Sequence, residues 1–85
     1  MNRNLILKRN IYKSIHRGCK ENDILIGEFA KSELEKLSET ELLIYESFLE
    51  EDDLELYNWL LGKNTVPEKY QKIALSIRNF HKIIS

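Results

Sequence analysis

The sequence predicts an all-α fold, a compact five-helix bundle in a single domain over residues 1–85. Three observations predict it. Apolar residues recur at intervals of three and four along most of the chain, and stretches that alternate with period two are scarce. The one proline and the three glycines fall between these periodic segments, where they act as stops and starts. No internal repeat, low-complexity tract or Gly/Ser linker divides the 85 residues, a length that suits one domain with one core.

The first helix is expected from about Asn4 to His16, with Leu7, Ile11, Tyr12 and Ile15 on its apolar face. Gly18 ends it, because glycine accepts the left-handed conformation that follows a helix. A second helix is expected from about Lys20 to Lys36. Glu21 and Asp23 suit the positive end of its dipole, and Leu25, Phe29, Leu34 and Leu37 supply its apolar stripe. Gly27 lies inside that helix at a cost of up to about 1 kcal/mol against alanine, which points to close packing or a partner's approach. Ser38 and Glu41 have the spacing of a capping box and open a third helix with Leu42, Tyr45, Phe48 and Leu49. Asp52 or Asp53 caps a short fourth helix carrying Leu56, Tyr57, Leu60 and Leu61, and Gly62 stops it. Asn64-Thr65-Val66-Pro67 opens the fifth, with proline in the first turn and Tyr70, Ile73, Ile77, Phe80 and Ile84 at helical spacing. The residues expected to be mostly buried are Leu25, Phe29, Phe48, Leu56, Trp59, Leu60, Ile73 and Ile77.

Charge is distributed unevenly. Six Lys/Arg and no acid occupy residues 1–20, thirteen acids and two lysines occupy residues 21–55, and five bases with one acid occupy the remainder. A basic end and an acidic face are expected, a field that orients a protein partner. The acidic stretch and a pI near 6.1 argue against nucleic acid, although the basic first helix keeps a small helical DNA-binding regulator, beside another kind of protein-interaction module, among the alternatives. Salt-sensitive DNA binding would favour that alternative. No apolar run approaches the roughly 20 residues of a membrane span, so no membrane insertion is expected. No signal peptide is visible either. The chain is read as cytoplasmic in a bacterium, or as a mitochondrial matrix protein lacking its presequence in a eukaryote.

Catalytic constellations are thin. His16 and Cys19 are close in sequence, but neither an oxyanion hole nor an orienting third group accompanies them. A hydrolase using Cys19 would lose activity on alkylation. With one cysteine, a disulfide within the chain is impossible. His16 and His81 lack metal-ligand spacing, and His81 is expected at the surface in the last turn. Trp59 and Tyr57 among leucines read as core, and Glu50-Glu51-Asp52-Asp53 as a cap and a solvated edge. What remains is Arg17-Gly18-Cys19-Lys20-Glu21. Arg17 and Glu21 either form a local ion pair across the glycine turn or present a charged pair around bare backbone to another protein.

The run from His16 to Phe29, His-Arg-Gly-Cys-Lys-Glu-Asn-Asp-Ile-Leu-Ile-Gly-Glu-Phe, resembles the signature region of the SdhE (YgfY) assembly factors, whose hallmark is Arg-Gly-x-x-Glu, then Asp and a hydrophobic stretch ending in Phe. Leu49 to Leu60, an acidic turn leading into a helix ending in Trp59-Leu60, is similar to that family's second block. Gly62 and Pro67 fall at its next turn. The resemblance covers about Ile11 to Ile77. His16 stands where the family often has a second arginine, Asn22 where it is usually hydrophobic, and Cys19 where Met or Thr is common.

The resemblance implies a five-helix bundle that binds the flavoprotein subunit of succinate dehydrogenase, and in bacteria also of fumarate reductase. It implies that the chain promotes covalent attachment of FAD to a histidine of that subunit, with no enzymatic activity and no stably bound cofactor of its own. Arg17, Gly18 and Glu21, with His16 and Asp23, are then the partner-binding residues, and they act by binding.

Overall fold

The computed structural model describes residues 2–82. Five α-helices follow one another: α1 (Arg3–Ile15), α2 (Lys20–Glu33), α3 (Glu39–Leu49), α4 (Asp53–Leu60) and α5 (Gln71–Phe80). Short 3₁₀ turns at Leu34–Lys36 and Glu68–Tyr70 continue α2 and lead into α5. No strand occurs among the described residues. The expected all-α, five-helix architecture is the one observed.

Local chemistry accounts for the boundaries. Asn2 caps α1, its side-chain oxygen accepting the Asn4 N–H at 2.8 Å. The capping box at α3 is complete: the Glu41 N–H donates to Ser38 Oγ at 3.1 Å, and the Ser38 N–H donates to the Glu41 carboxylate at 2.9 Å. Those bonds, led by the Ser38 amide, hold the Glu41 carboxyl below its ordinary pKa, with Lys72 assisting. Asp52 caps α4 through the Leu54 N–H at 3.1 Å. Gly62 follows α4 with φ +76°, and its N–H donates to the Trp59 carbonyl at 3.1 Å. Pro67 introduces the 3₁₀ turn ahead of α5, one turn earlier than the α-helix itself begins.

α3 is the centre of the core. Leu42, Tyr45, Phe48 and Leu49 are buried on it, with Phe29 and Leu34 from the second helical segment, Leu56, Trp59 and Leu60 from α4, and Tyr70, Ile73 and Ile77 from the last. Phe48 stacks edge-on against Tyr70 at 5.4 Å and lies 6.1 Å from Trp59. Of the eight residues expected to be buried, seven are, and Leu25 is half-buried. Ile84, expected on the last helix, lies outside the described residues.

The packing face of α1 departs from its expected stripe. Ile6, Asn10 and Ser14 are the buried line, while Leu7 and Ile11 pack at its edge and Tyr12 is 64% exposed. Polar atoms on this face are only partly bonded: Asn10 Nδ2 donates to the Leu42 carbonyl at 3.5 Å, while Asn10 Oδ1 has no partner among the described residues. Ser14 Oγ donates to the Asn10 carbonyl at 2.7 Å, which leaves Tyr45 Oη to donate to Ser14 Oγ at 2.6 Å. Burial pushes the Tyr45 phenol well above its ordinary pKa, so it is the neutral donor at any physiological pH. Tyr12 instead stacks on His16, with ring centroids 4.2 Å apart.

Gly27 is buried beneath α1, as its position inside a helix suggested. A Cβ there would stand 3.5 Å from the Ser14 carbonyl oxygen and 3.7 Å from Ile15. His81 is not a free surface residue. Its Nε2 donates to the Leu25 carbonyl at 2.7 Å, tying the end of α5 to α2.

The charge blocks also pair across the bundle. Arg9 binds Glu46 at 2.6 Å, Lys13 binds Glu50 at 3.2 Å and Arg17 binds Asp53 at 2.7 Å. The first two are exposed enough to contribute at most about 1 kcal/mol each. Together they engage half of the basic block with part of the acidic one, so the expected separation into basic end and acidic face is reduced.

Candidate functional site

The turn between α1 and α2 is held by Arg17 within it, Asn22 and Asp23 from α2, and Asp53 from α4. Arg17 leaves α1 as an extended arm whose guanidinium turns inward, its side chain only 10% exposed. Nε donates to Asp53 Oδ1 at 2.7 Å, Nη1 to the Leu49 carbonyl at 2.6 Å and Nη2 to the Glu51 carbonyl at 3.1 Å. The fork thereby caps the end of α3 and neutralises the first residue of α4. Helix C-termini leave carbonyls without partners and carry partial negative charge, so a guanidinium is well suited to this place. Because Asp52 takes the cap of α4, Asp53 is left available for Arg17.

Asn22 completes the brace. It is fully buried, and its Nδ2 donates to the Asp53 carbonyl at 2.9 Å and to Asp53 Oδ1 at 3.2 Å. A hydrophobic residue at this position would leave the Asp53 carbonyl short of this donor. Asp23 accepts the Arg17 backbone N–H at 3.0 Å. Arg17, Asn22, Asp23 and Asp53 therefore form one linked polar cluster beneath the turn.

Above that cluster the backbone is bare. Gly18 is exposed at φ +85°, and a Cβ there would meet nothing within 4 Å. Glu21 is exposed in the first turn of α2, accepting only the Cys19 S–H at 3.4 Å. His16 is exposed and stacked on Tyr12, next to a shallow cleft that Tyr12, Lys13, His16, Arg17, Leu49 and Glu50 line.

The sequence points to five residues as partner-binding: His16, Arg17, Gly18, Glu21 and Asp23. Gly18, Glu21 and His16 are open to solvent around one turn. Arg17 and Asp23 are not presented in the same way. The expectation that Arg17 offers its donor fork outward beside Glu21 is corrected by its three inward bonds, and neither an Arg17–Glu21 pair nor a free Arg17 fork is present. Asp53 and Asn22, which hold the turn, were not singled out as site residues. The signal for Asp53 was hidden in an acidic run read as a solvated edge. That for Asn22 was a polar residue on the apolar side of a helix. Cys19 caps α2 only by its backbone conformation, and no group of three or more His, Cys, Asp or Glu suited to a metal occurs among the described residues.

Fold and turn together define a small all-helical protein that presents a bare, internally braced turn. The chain belongs to the family described as flavinator of succinate dehydrogenase, which it matches over residues 8–81. It is 38% identical over 74 residues to the mitochondrial succinate dehydrogenase assembly factor 2 of Dictyostelium discoideum, covering 87% of this chain and 52% of that protein. The corresponding factor of Caenorhabditis briggsae is 41% identical over 69 residues, 79% of this chain and 57% of its own length. The FAD assembly factor SdhE of Acetobacter pasteurianus is 39% identical over 62 residues, 73% of this chain and 57% of its own. The chain thus spans little more than half the length of these relatives. No solved structure matches it. No described helix is long and apolar enough to cross a membrane.

Proposed function

We propose that this chain binds the flavoprotein subunit of a succinate dehydrogenase, and of a fumarate reductase where the cell has one, and promotes covalent attachment of FAD to a histidine of that subunit. The family match over residues 8–81, which contains the whole braced turn, carries this reading. The linkage chemistry belongs to the flavin and the flavoprotein. The factor contributes position, holding the subunit so that histidine and flavin are aligned, and positioning of this kind removes several kcal/mol from a barrier. It retains no FAD and is not itself an enzyme.

Within this reading the turn residues divide the work. Gly18 lets another backbone approach closely, and Glu21 supplies an acceptor for a charge-assisted bond. Arg17 acts through position: with Asp53 and Asn22 it fixes the turn so that Gly18 needs no ordering on contact, which lowers the entropic cost of association.

The test is co-expression of the flavoprotein subunit with wild-type factor, Glu21→Ala or Gly18→Asn, asparagine being a side chain that tolerates the left-handed region. Covalent flavin is read by in-gel fluorescence and folding by circular dichroism. Glu21→Ala is expected to weaken the complex by about 1–3 kcal/mol while leaving the thermal midpoint in place. Wild-type flavinylation with both variants folded would overturn the assignment.

A further inference from the structure

A second feature lies at the opposite end of α4 from Asp53, separated from it by an eight-residue helix of about 12 Å. Here the connection from α4 to α5 and the side of α5 enclose a cleft of about 510 Å³. Lys63, Asn64, Thr65, Gln71, Leu75 and Arg78 are among its lining residues, and no acidic side chain is.

The chain has four arginines, and three of them hold hydrogen-bond acceptors. Arg3 donates to the Glu35 and Leu37 carbonyls, Arg9 to Glu46, and Arg17 to Asp53 and two carbonyls. Arg78 has no hydrogen-bond or ion-pair partner among the described residues, and its Nε is buried without an acceptor. An unsatisfied buried donor on a charged group is costly, and native structures rarely leave one without a reason. The guanidinium rests against Gly62, whose Cβ, were there one, would stand 3.2 Å from Nη2. A cation is favourable at the C-terminal end of α4, which explains the location of the charge. It supplies no acceptor for Nε.

We infer that this cleft binds an alkyl carboxylate. A carboxylate seated there draws the guanidinium off Gly62 by rotation of its terminal torsions and accepts from Nε and one Nη side-on, the pairing for which the planar fork is built. Lys63 adds a second positive charge, and Asn64 and Thr65 add donors. Val66, Ala74 and Leu75 give the attached carbon chain an apolar wall, with Leu75 57% exposed in the absence of an occupant. The same chemistry is offered by a free short-chain carboxylic acid and by a glutamate side chain in a peptide. The site does not depend on the role proposed for the Gly18 turn.

The experiment titrates the ¹⁵N-labelled full chain with butyrate, with the neutral butyramide, with inorganic phosphate, and with a blocked Ala-Glu-Ala peptide. Butyrate or the peptide is expected to give saturable shifts of the Arg78 Nε–H resonance and the Gly62 and Lys63 amides. Butyramide is expected to give none. The peptide binding more tightly than butyrate assigns the site to a protein-borne carboxylate, and the reverse assigns it to a free acid. Arg78→Gln is expected to weaken binding about tenfold or more, and Arg78→Lys, which keeps the charge and loses the fork, by an intermediate factor. Because Arg78 is half-buried, Lys63→Gln at the exposed rim provides a variant with an unchanged melting midpoint and several-fold weaker binding. The inference is overturned if neither carboxylate gives a saturable shift, if butyramide matches butyrate, if phosphate matches or exceeds it, or if the Arg78 and Lys63 variants bind as the wild type does.

Discussion

Gly18 and Gly62 are both left-handed turns that end a helix, and both have an arginine close at hand, yet they present opposite surfaces. At Gly18, with φ +85°, the neighbouring Arg17 dives beneath the turn, satisfies three acceptors there, and leaves the glycine with open space above it. At Gly62, with φ +76°, Arg78 lies on the glycine itself and its Nε has no acceptor among the described residues. One arginine is a strut; the other has no acceptor among the described residues. The pairing of Arg with Gly in a sequence is therefore silent about which of them faces a partner; the availability of carbonyls and a carboxylate beneath the turn decides it.

Breaking the strut gives the largest expected effect. Arg17→Ala removes three charge-assisted bonds and leaves Asp53 without its cation. A loss of about 2–4 kcal/mol is expected in urea unfolding, moderated because Asp53 is about a third exposed. Arg78→Ala, which removes no bond within the described structure, is expected to change stability far less. Equal losses would show that the two arginines do the same work.

The glycines sharpen the comparison. Gly18→Ala and Gly62→Ala each force an L side chain into the left-handed region, at about 1–2 kcal/mol. Gly62→Ala must also displace the Arg78 guanidinium, but that is the free end of a flexible side chain, so the two losses are expected to lie within about 0.5 kcal/mol of each other in thermal melts. Gly27 is the control with ordinary helical backbone. Its Cβ would make normal van der Waals contact with Ser14 and Ile15, so Gly27→Ala is expected to stabilise by up to about 1 kcal/mol. A destabilisation there would mean that the α1–α2 contact is tighter than 3.5 Å suggests.

The smallest effect is expected away from both turns, at the cap of α3. The Glu41 carboxyl has its pKa lowered in the folded state, chiefly by the Ser38 amide. A lowered folded pKa means that the contribution is complete above the unfolded value of about 4.3 and disappears as pH falls through the folded one. Glu41→Ala is therefore expected to destabilise slightly at pH 7, by less than about 1 kcal/mol, and to converge on the wild type as pH falls below the unfolded value and through the lowered folded one. Denaturant midpoints across that range measure it; a gap that widens as pH falls would contradict the assignment.

The sequence by itself determined the number of helices, their order and nearly all of their ends. These follow from interactions within four residues: Ser38 with Glu41, Asp52 with Leu54, Gly62 after Trp59. It also located the Arg17–Glu21 turn, through residue spacing and a family likeness that the matched residues support. The rotation of α1 about its axis was decided only in three dimensions. Its most apolar stripe runs through Tyr12, but the face with Ile6, Asn10 and Ser14 is the buried one: Tyr45 on α3 donates to Ser14, the Leu42 carbonyl accepts from Asn10, and Tyr12 stacks on His16 at the surface. The fate of Arg17 was likewise decided by a carboxylate 36 residues away, and that of Arg78 by a glycine on another helix's end. Local periodicity fixes which backbone conformations the chain prefers; it carries no information about which side chains from distant helices arrive beside each other, and in this protein that arrival separates the arginine that braces a turn from the one that rests against a glycine.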